Sequence, residues 1–512
     1  MSQDDLENSV WRVYAASEDE TSTLAHEVVA LLRRGDMVTL SGDLGAGKTT
    51  FARAMIRHLL DDPQIEAPSP TFTLMQVYEK GNLRLVHADF YRLNGAEELA
   101  GLGWEEVVDG ALALVEWADR APQALPADRL DVHLDFADQD NPQARSITIV
   151  GHGDFAQRLA PFRALRDLLR ECGWSDAKRA FLQGDASTRA YETLEKPDGQ
   201  RAILMISPQR PDGPPIRYGK SYSAIARLAE NVRPFVALAD GLRSRGFSAP
   251  RIYGHDLDAG LLIVEDLGRE GVVDDQGPIP ERYLEAAAVL ASLHSQRLPD
   301  SLPVDDAGAY VIPPYDLDAL LIEIELLLEW YVPHTKTIVA SGARATFVNL
   351  WRQALVDVAG AQPTWTLRDY HSPNLIWLAE RESLARIGII DFQDCVLGHP
   401  AYDLASLGQD ARVTVPDDLE LKLLAFYAQR RRAADPSFDM PGFVRAYSIL
   451  AAQRATKIVG IFARLNQRDG KPGYLRHLPR VEGYLRKSLQ HLALAEIKAW
   501  CQANLPTLFG ND

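Results

Sequence analysis

The segment Gly42-Asp43-Leu44-Gly45-Ala46-Gly47-Lys48-Thr49 follows the short apolar run Asp36 to Leu40 and leads into a helical pattern from Thr49 to Leu60. Two glycines bracketing four residues, then lysine and a hydroxyl residue, let backbone N–H groups wrap a chain of phosphates. The arrangement constrains the fold because the loop needs a buried strand on one side and a helix N-terminus on the other. Lys48 is expected to reach the β and γ phosphates of ATP and Thr49 to bind magnesium through its hydroxyl. Gly42, Asp43, Leu44, Gly45, Ala46, Gly47 and Thr50 complete the nucleotide loop.

Around this loop, helical spacing of apolar residues runs from Thr23 to Leu32, and strands are expected at Leu83 to His87, Ala111 to Val115, Asp131 to Phe136 and Arg145 to Val150. Such alternation predicts an α/β P-loop NTPase domain over residues 1–155, closing near Gly153. Magnesium and the attacking water need carboxylates at the ends of neighbouring strands. Asp89, after Leu85-Val86-His87-Ala88, and Glu116, after Ala113-Leu114-Val115, are the candidates. An acidic residue after a strand is commonly a turn or cap residue, and the upstream loop is what singles these out.

A helical stretch from Ala156 to Cys172 leads to a new start at Phe181 to Thr188 and a strand over Arg201 to Ile206. From Leu284 onward long helical patterns dominate, including Leu317 to Trp330 and Val444 to Leu465, with strands near Thr364 to Leu367 and Arg386 to Ile390. This order predicts an α+β bilobal protein-kinase-like domain over residues 158–512. Asp369 with Asn374 five positions on, then an apolar strand ending in Asp391-Phe392, has the spacing of kinase catalytic and metal loops. Asp369 would orient the acceptor hydroxyl, and Asn374 and Asp391 would hold magnesium on ATP. In the upstream lobe Gly184, Ser187 and Arg189 form the expected phosphate loop, and Leu261 to Gly268, with Glu265, the hinge offered to adenine. The kinase lysine is missing, since Met205 ends Ala202-Ile203-Leu204-Met205. A catalytically inactive nucleotide-binding scaffold therefore stands beside the kinase, unless Arg189 substitutes.

Composition narrows the partners. A chain of 512 residues exceeds one hydrophobic core, and its net charge of -17 opposes broad binding to nucleic acid or anionic lipid. Cys172, Cys395 and Cys501 are too scattered for a disulfide framework. With an acidic N-terminus and no apolar run of spanning length, a cytoplasmic protein without membrane contact is expected.

The first motifs, GDLGAGKTTF, Ser69-Pro70-Thr71-Phe72, His87 to Leu93 and Val115-Glu116-Trp117, resemble the bacterial TsaE family over nearly all of residues 1–152. That resemblance implies an ATPase working with TsaD-like and TsaB-like proteins to place threonylcarbamoyl on tRNA, which this chain would reach only through them. It implies Thr49 and Glu116 as magnesium residues, Lys48 as phosphate clamp, Asp89 as a metal or water-positioning group, and residues 69–72 as a switch-like loop.

Arg368 to Asn374, Asp391 to Asp394 and Ala401 to Leu407 resemble the aminoglycoside phosphotransferase superfamily. GDASTRAY, the lysine-free AILM strand and Gln453 to Leu465 are similar to its branch of anomeric N-acetylmuramate and N-acetylglucosamine kinases, over residues 158–495. That branch usually lacks the lysine, and the likeness implies an amino-sugar substrate and a sugar 1-phosphate product. Arg454, Lys457 and Arg464 would recognise a carboxylate or phosphate, or else form a salt-bridge network. Glu325, Trp330 and Tyr331 are pocket candidates or a core stripe. A choline-, aminoglycoside- or homoserine-type kinase is the other enzymatic reading.

Overall fold

The computed structural model describes residues 10–509 except 30, 82, 94, 96, 139–140, 183–188, 210–212, 305–307 and 362. The chain divides into two compact units, one ending at Glu171 and one beginning at Cys172.

The first unit runs β1 (Val10–Ala15), α1 (Glu18–Val29), β2 (Met37–Ser41), α2 (Lys48–Leu59), β3 (Met75–Lys80), β4 (Leu83–Asp89), β5 (Leu112–Glu116), β6 (Arg129–Phe136), β7 (Arg145–His152) and α3 (Asp154–Glu171). Its sheet has the order β1-β7-β6-β2-β5-β4-β3. Strands β6, β2, β5 and β4 run parallel, and β7, β1 and β3 are antiparallel to their neighbours. The alternation along β5 shows why the sheet is covered on both faces. Leu112 and Leu114 join a core with Leu24, Val28, Phe51 and Met55, while Ala113 and Val115 join another with Phe90 and Trp104.

Helix α3, read from sequence as a lead-in to the second domain, belongs to the first unit, so the boundary lies at Glu171 rather than near residue 155. Phe155 and Leu159 lie in the first core, and the Arg158 guanidinium makes a two-pronged contact with Asp36, at 2.7 and 3.0 Å. Helical periodicity located α3 but carries no information about which sheet it covers.

The second unit opens with β8 (Lys178–Leu182), β9 (Ala190–Glu195), β10 (Arg201–Ile206), α4 (Arg233–Arg243), β11 (Ile252–Asp256) and β12 (Leu261–Glu265), forming an antiparallel sheet in the order β11-β12-β10-β9-β8. The larger lobe contains α5 (Pro280–His294), α6 (Leu317–Leu326), α7 (Ser341–Leu355), β13 (Thr364–Thr366), β14 (Leu375–Trp377), β15 (Ile387–Ile389), β16 (Val396–Gly398), α8 (Ala401–Gly408), α9 (Asp417–Ala434), α10 (Met440–Gln467), α11 (Leu478–Ser488) and α12 (Ala495–Asn504). β13 pairs with β16 and β14 with β15, so two short ladders deliver the loops between them to one place. No described helix is long and apolar enough to cross a membrane.

Candidate functional site

In the first unit, β2 ends at Ser41 and α2 begins at Lys48, leaving Gly42 to Gly47 as the turn between them. Gly42 has φ 129°, and a Cβ there would stand 2.1 Å from the carbonyl oxygen of Leu134, so only glycine fits. Gly47, at φ 105°, precedes the helix in the same left-handed region. Lys48 folds back over the turn and donates to the carbonyls of Gly42 and Asp43, each at 2.8 Å, with its ammonium 3.9 Å from the centroid of Trp117. Burial lowers the Lys48 pKa, against the pull of Glu116, Asp89 and Asp43.

The two carboxylates arrive through strand register, because Asp89 on β4 is opposite Glu116 on β5, and Glu116 is opposite Leu40 on β2. Thr49 Oγ1 donates to Glu116 Oε2 at 2.8 Å, which places the two expected magnesium residues together. Asp89 Oδ2 accepts from Ser69 and from Thr71 at 2.7 Å, and its other oxygen accepts from the Tyr91 N–H at 2.9 Å. The Ser69 to Phe72 loop is thus tied to Asp89 by side chains.

Two residues were missed by sequence reading. Buried His87 lies 2.9 Å through Nε2 from Glu116 Oε1 and orients that carboxylate. Arg145 donates to the carbonyls of Ala46 and Gly45 at 2.6 and 3.3 Å and clips the phosphate loop from outside. His87 belongs to the quoted His87 to Leu93 motif and was legible in principle. Arg145, 100 residues from Gly45, carries no local signal.

In the second unit, pairing of Leu375 with Ile389 brings the residues flanking β14 and β15 side by side, and Ile390 N donates to Asn374 O at 3.0 Å. Asn374 Nδ2 consequently lies 3.4 Å from Asp391 Oδ2 and donates to the Asp369 carbonyl at 2.9 Å. Asp391, at φ 59°, is held by Gln393 Nε2 at 2.7 Å and by Arg189 at 3.5 Å. Burial and the nearby Asp369 charge push its carboxyl up to about 6. The Asp391 carboxylate and the Asn374 side-chain amide are thus side by side, and their oxygens are of the kind that suits a hard divalent cation shared with phosphates.

Asp369 itself is held below the usual carboxyl range. Burial opposes ionisation there, but Lys457, His371, Arg368 and Arg454 together outweigh it. Among the described residues its carboxylate makes no hydrogen bond, so it is available to an acceptor hydroxyl. The loop carrying it is fixed from below: Asp403 on α8, wholly buried, accepts from the N–H groups of Leu367 and Arg368 at 2.7 and 2.9 Å. Asp410 accepts from the Ser372 N–H at 2.7 Å. Glu323 on α6 takes Arg368 Nη2, Lys457 Nζ at 3.2 Å, Gln453 at 3.0 Å and the Tyr315 hydroxyl at 2.5 Å. Lys457 also donates to Tyr402 at 3.1 Å. Tyr402 and Asp403 lie in the quoted Ala401 to Leu407 motif and were legible in principle, whereas only its charge within an apolar helix signals Glu323.

Other candidates fall out as follows. Gly184 and Ser187 lie outside the described residues, while Arg189 reaches Asp391. The Glu265 side chain is held by Arg381 at 2.6 Å and the Arg251 N–H at 3.0 Å, which leaves the hinge backbone after it for a base. Met205 is buried in the core that includes Phe235 and Phe392, and those two rings stack at 4.9 Å. Burial in an apolar core, and not a lysine ion pair, is thus the environment of the residue at that position. Glu325 pairs with Arg217 at 2.8 Å, and Tyr331 is buried and donates to Glu482 at 2.7 Å, so neither is an uncommitted pocket group. Lys457 belongs to a salt-bridge network, the second of its two expected roles.

These arrangements define a P-loop nucleotide site in the first unit and a protein-kinase-like phosphotransfer site in the second. The family model described as "Threonylcarbamoyl adenosine biosynthesis protein TsaE" matches residues 15–147, and that described as "Phosphotransferase enzyme family" matches residues 178–447. A Caulobacter vibrioides "N-acetylmuramate/N-acetylglucosamine kinase" is 37% identical over 65% of this chain and 94% of its own length. The protein of that name from Pseudomonas putida is 33% identical over 66% and 95%. A Rickettsia felis "tRNA threonylcarbamoyladenosine biosynthesis protein TsaE" is 36% identical over 30% of this chain and 92% of its own. The chain belongs to the phosphotransferase enzyme family through its second unit and to the TsaE family through its first.

Proposed function

We propose that the chain carries two ATP-dependent activities, an ATPase serving tRNA threonylcarbamoyladenosine synthesis and an anomeric kinase of N-acetylmuramate and N-acetylglucosamine in peptidoglycan recycling. The observation that carries the kinase half is the uncommitted, ionised Asp369 carboxylate beside the Asn374–Asp391 pair, which are 3.4 Å apart. Asp369 accepts the hydrogen bond of the C1 hydroxyl and aligns it, and that hydroxyl is more acidic than an ordinary sugar alcohol. Asn374 and Asp391 hold the magnesium of MgATP, which neutralises phosphate charge during transfer. Because Met205 cannot bind phosphate, Arg189 and the loop before it take up that charge.

In the first unit Lys48 leaves the carbonyls of Gly42 and Asp43 for the phosphates, Thr49 and Glu116 hold magnesium, and Asp89 orients water and senses the Ser69–Thr71 loop. TsaD-like and TsaB-like proteins are the partners that stimulate this site and bring tRNA to it. The test of the kinase half is the product formed from either sugar with MgATP. A sugar 1-phosphate, with phosphorus coupling to the anomeric proton by NMR, is expected, and phosphate on C6 or turnover of neither sugar overturns the assignment.

A further inference from the structure

Arg454, Lys457 and Arg464 fall along one face of α10, at separations of three and seven residues. The structure gives them different tasks. Lys457 is committed to Glu323 and Tyr402, and Arg454 donates to the Gln409 carbonyl at 3.2 Å. Arg464 differs, since among the described residues its guanidinium forms no ion pair and its buried Nε has no hydrogen-bond partner. It is held instead by stacking over the ring of Tyr222, 5.3 Å from the centroid. Glu325, on the earlier helix α6, is taken through both oxygens by Arg217 at 2.9 and 2.8 Å. Glu329 lies in the field of Glu325, Arg344, Arg217 and Arg464, and among the described residues none of these carboxylates forms an ion pair with Arg464.

The same group is linked to the catalytic loop through Tyr222. Tyr222 begins the short helix Tyr222–Ala226, and the carbonyls of Ala226 and Arg227 at its far end accept from Arg368 Nη1 at 2.9 and 3.3 Å. Arg368 directly precedes Asp369. Along α10 the offset from Lys457, beside the catalytic loop, to Arg464 is two turns, about 10 Å. A guanidinium whose buried Nε is unpartnered, on the helix that also carries Lys457, matches an acceptor with a hydroxyl at one end and an anion on a side arm.

We infer that Arg464 is a specificity residue that binds the carboxylate of an acidic sugar acceptor while Asp369 takes its anomeric hydroxyl, an inference that rests on the sugar-kinase reading above. N-acetylmuramate differs from N-acetylglucosamine by a lactyl ether that bears such a carboxylate, so the two sugars form an internal pair for the test. The measurement is kcat/KM for each sugar in the full-length wild-type chain and in Arg464→Gln and Arg464→Lys. Loss of a charge-assisted hydrogen bond lowers the acidic-to-neutral ratio roughly 10- to 100-fold in Arg464→Gln. Arg464→Lys recovers part of it, since the charge remains while the planar fork is lost. A ratio within about twofold of wild type, or an equal loss on both sugars as a folding defect would give, overturns the inference. Turnover of neither sugar by the wild-type chain overturns the kinase reading itself, and this inference with it, before any substitution is made.

Discussion

Replacing Lys457 by methionine keeps the stem in its buried slot and removes one of the cations that face Glu323 and Asp369. Lys457 and Arg368 face Glu323 and Asp369, and the lysine loses hydrogen bonds of 3.2 Å to Glu323 and 3.1 Å to Tyr402. Breaking a buried ion network by deleting one partner costs about 3–5 kcal/mol, more than the bonds alone, because a carboxylate is left under-compensated. Asp369 also loses the cation first among those lowering its pKa. Its folded value lies below the unfolded one, so the associated stability is present above the unfolded value and is lost as pH falls through the folded value. Without Lys457 that value rises, and the acid limb of kcat/KM for sugar phosphorylation moves to higher pH. The assay is urea unfolding of the full chain, taking the transition that abolishes sugar phosphorylation, together with the pH profile. Adding Glu323→Gln should restore part of the stability, since the unpaired charge goes with it. Destabilisation below about 1 kcal/mol with an unshifted acid limb would refute the argument that this network sets the ionisation of Asp369.

Two further outcomes follow from the sites. Gly42→Ala drives a methyl group into the Leu134 carbonyl, 2.1 Å from the added Cβ, and should weaken ATP binding by the first unit at least about tenfold in a fluorescent-nucleotide titration; unchanged affinity would mean that the turn is not the nucleotide loop. Because Asp391 is pushed up to about 6, protons compete with magnesium below that pH, so the magnesium concentration for half-maximal sugar phosphorylation should rise between pH 7 and pH 5, and a flat requirement would contradict the assignment.

The parts of each site that are adjacent in sequence were legible before the fold was known, because strand, loop and helix are contiguous in Gly42 to Thr50 and the catalytic loop is contiguous from Asp369 to Asn374. Asp89, Glu116 and Asp391 were legible as strand ends. Hidden were the residues that hold these pieces from a distance. Glu323 acts on a residue 45 positions away and Arg145 on a loop 99 positions away, through contacts that exist only after the sheets and helices assemble, and Asp403, inside a quoted motif, showed its task only through its bonds to Leu367 and Arg368. The edge strands β1 and β3 were also missed, as their exposed faces blur the apolar alternation. Assigning α3 to the second domain failed for a related reason. An amphipathic helix between two domains has an apolar face that fits either, and only the packing of Phe155 and Leu159 decides it.

The central claim is that one chain carries two independent ATP-using sites. It is tested most directly by measuring both activities in the same preparations of Lys48→Ala and Asp369→Ala. The account predicts that Lys48→Ala loses ATP hydrolysis stimulated by TsaD-like and TsaB-like partners while keeping sugar phosphorylation. Asp369→Ala should lose sugar phosphorylation and keep the stimulated hydrolysis. Loss of both activities in either folded variant would contradict it.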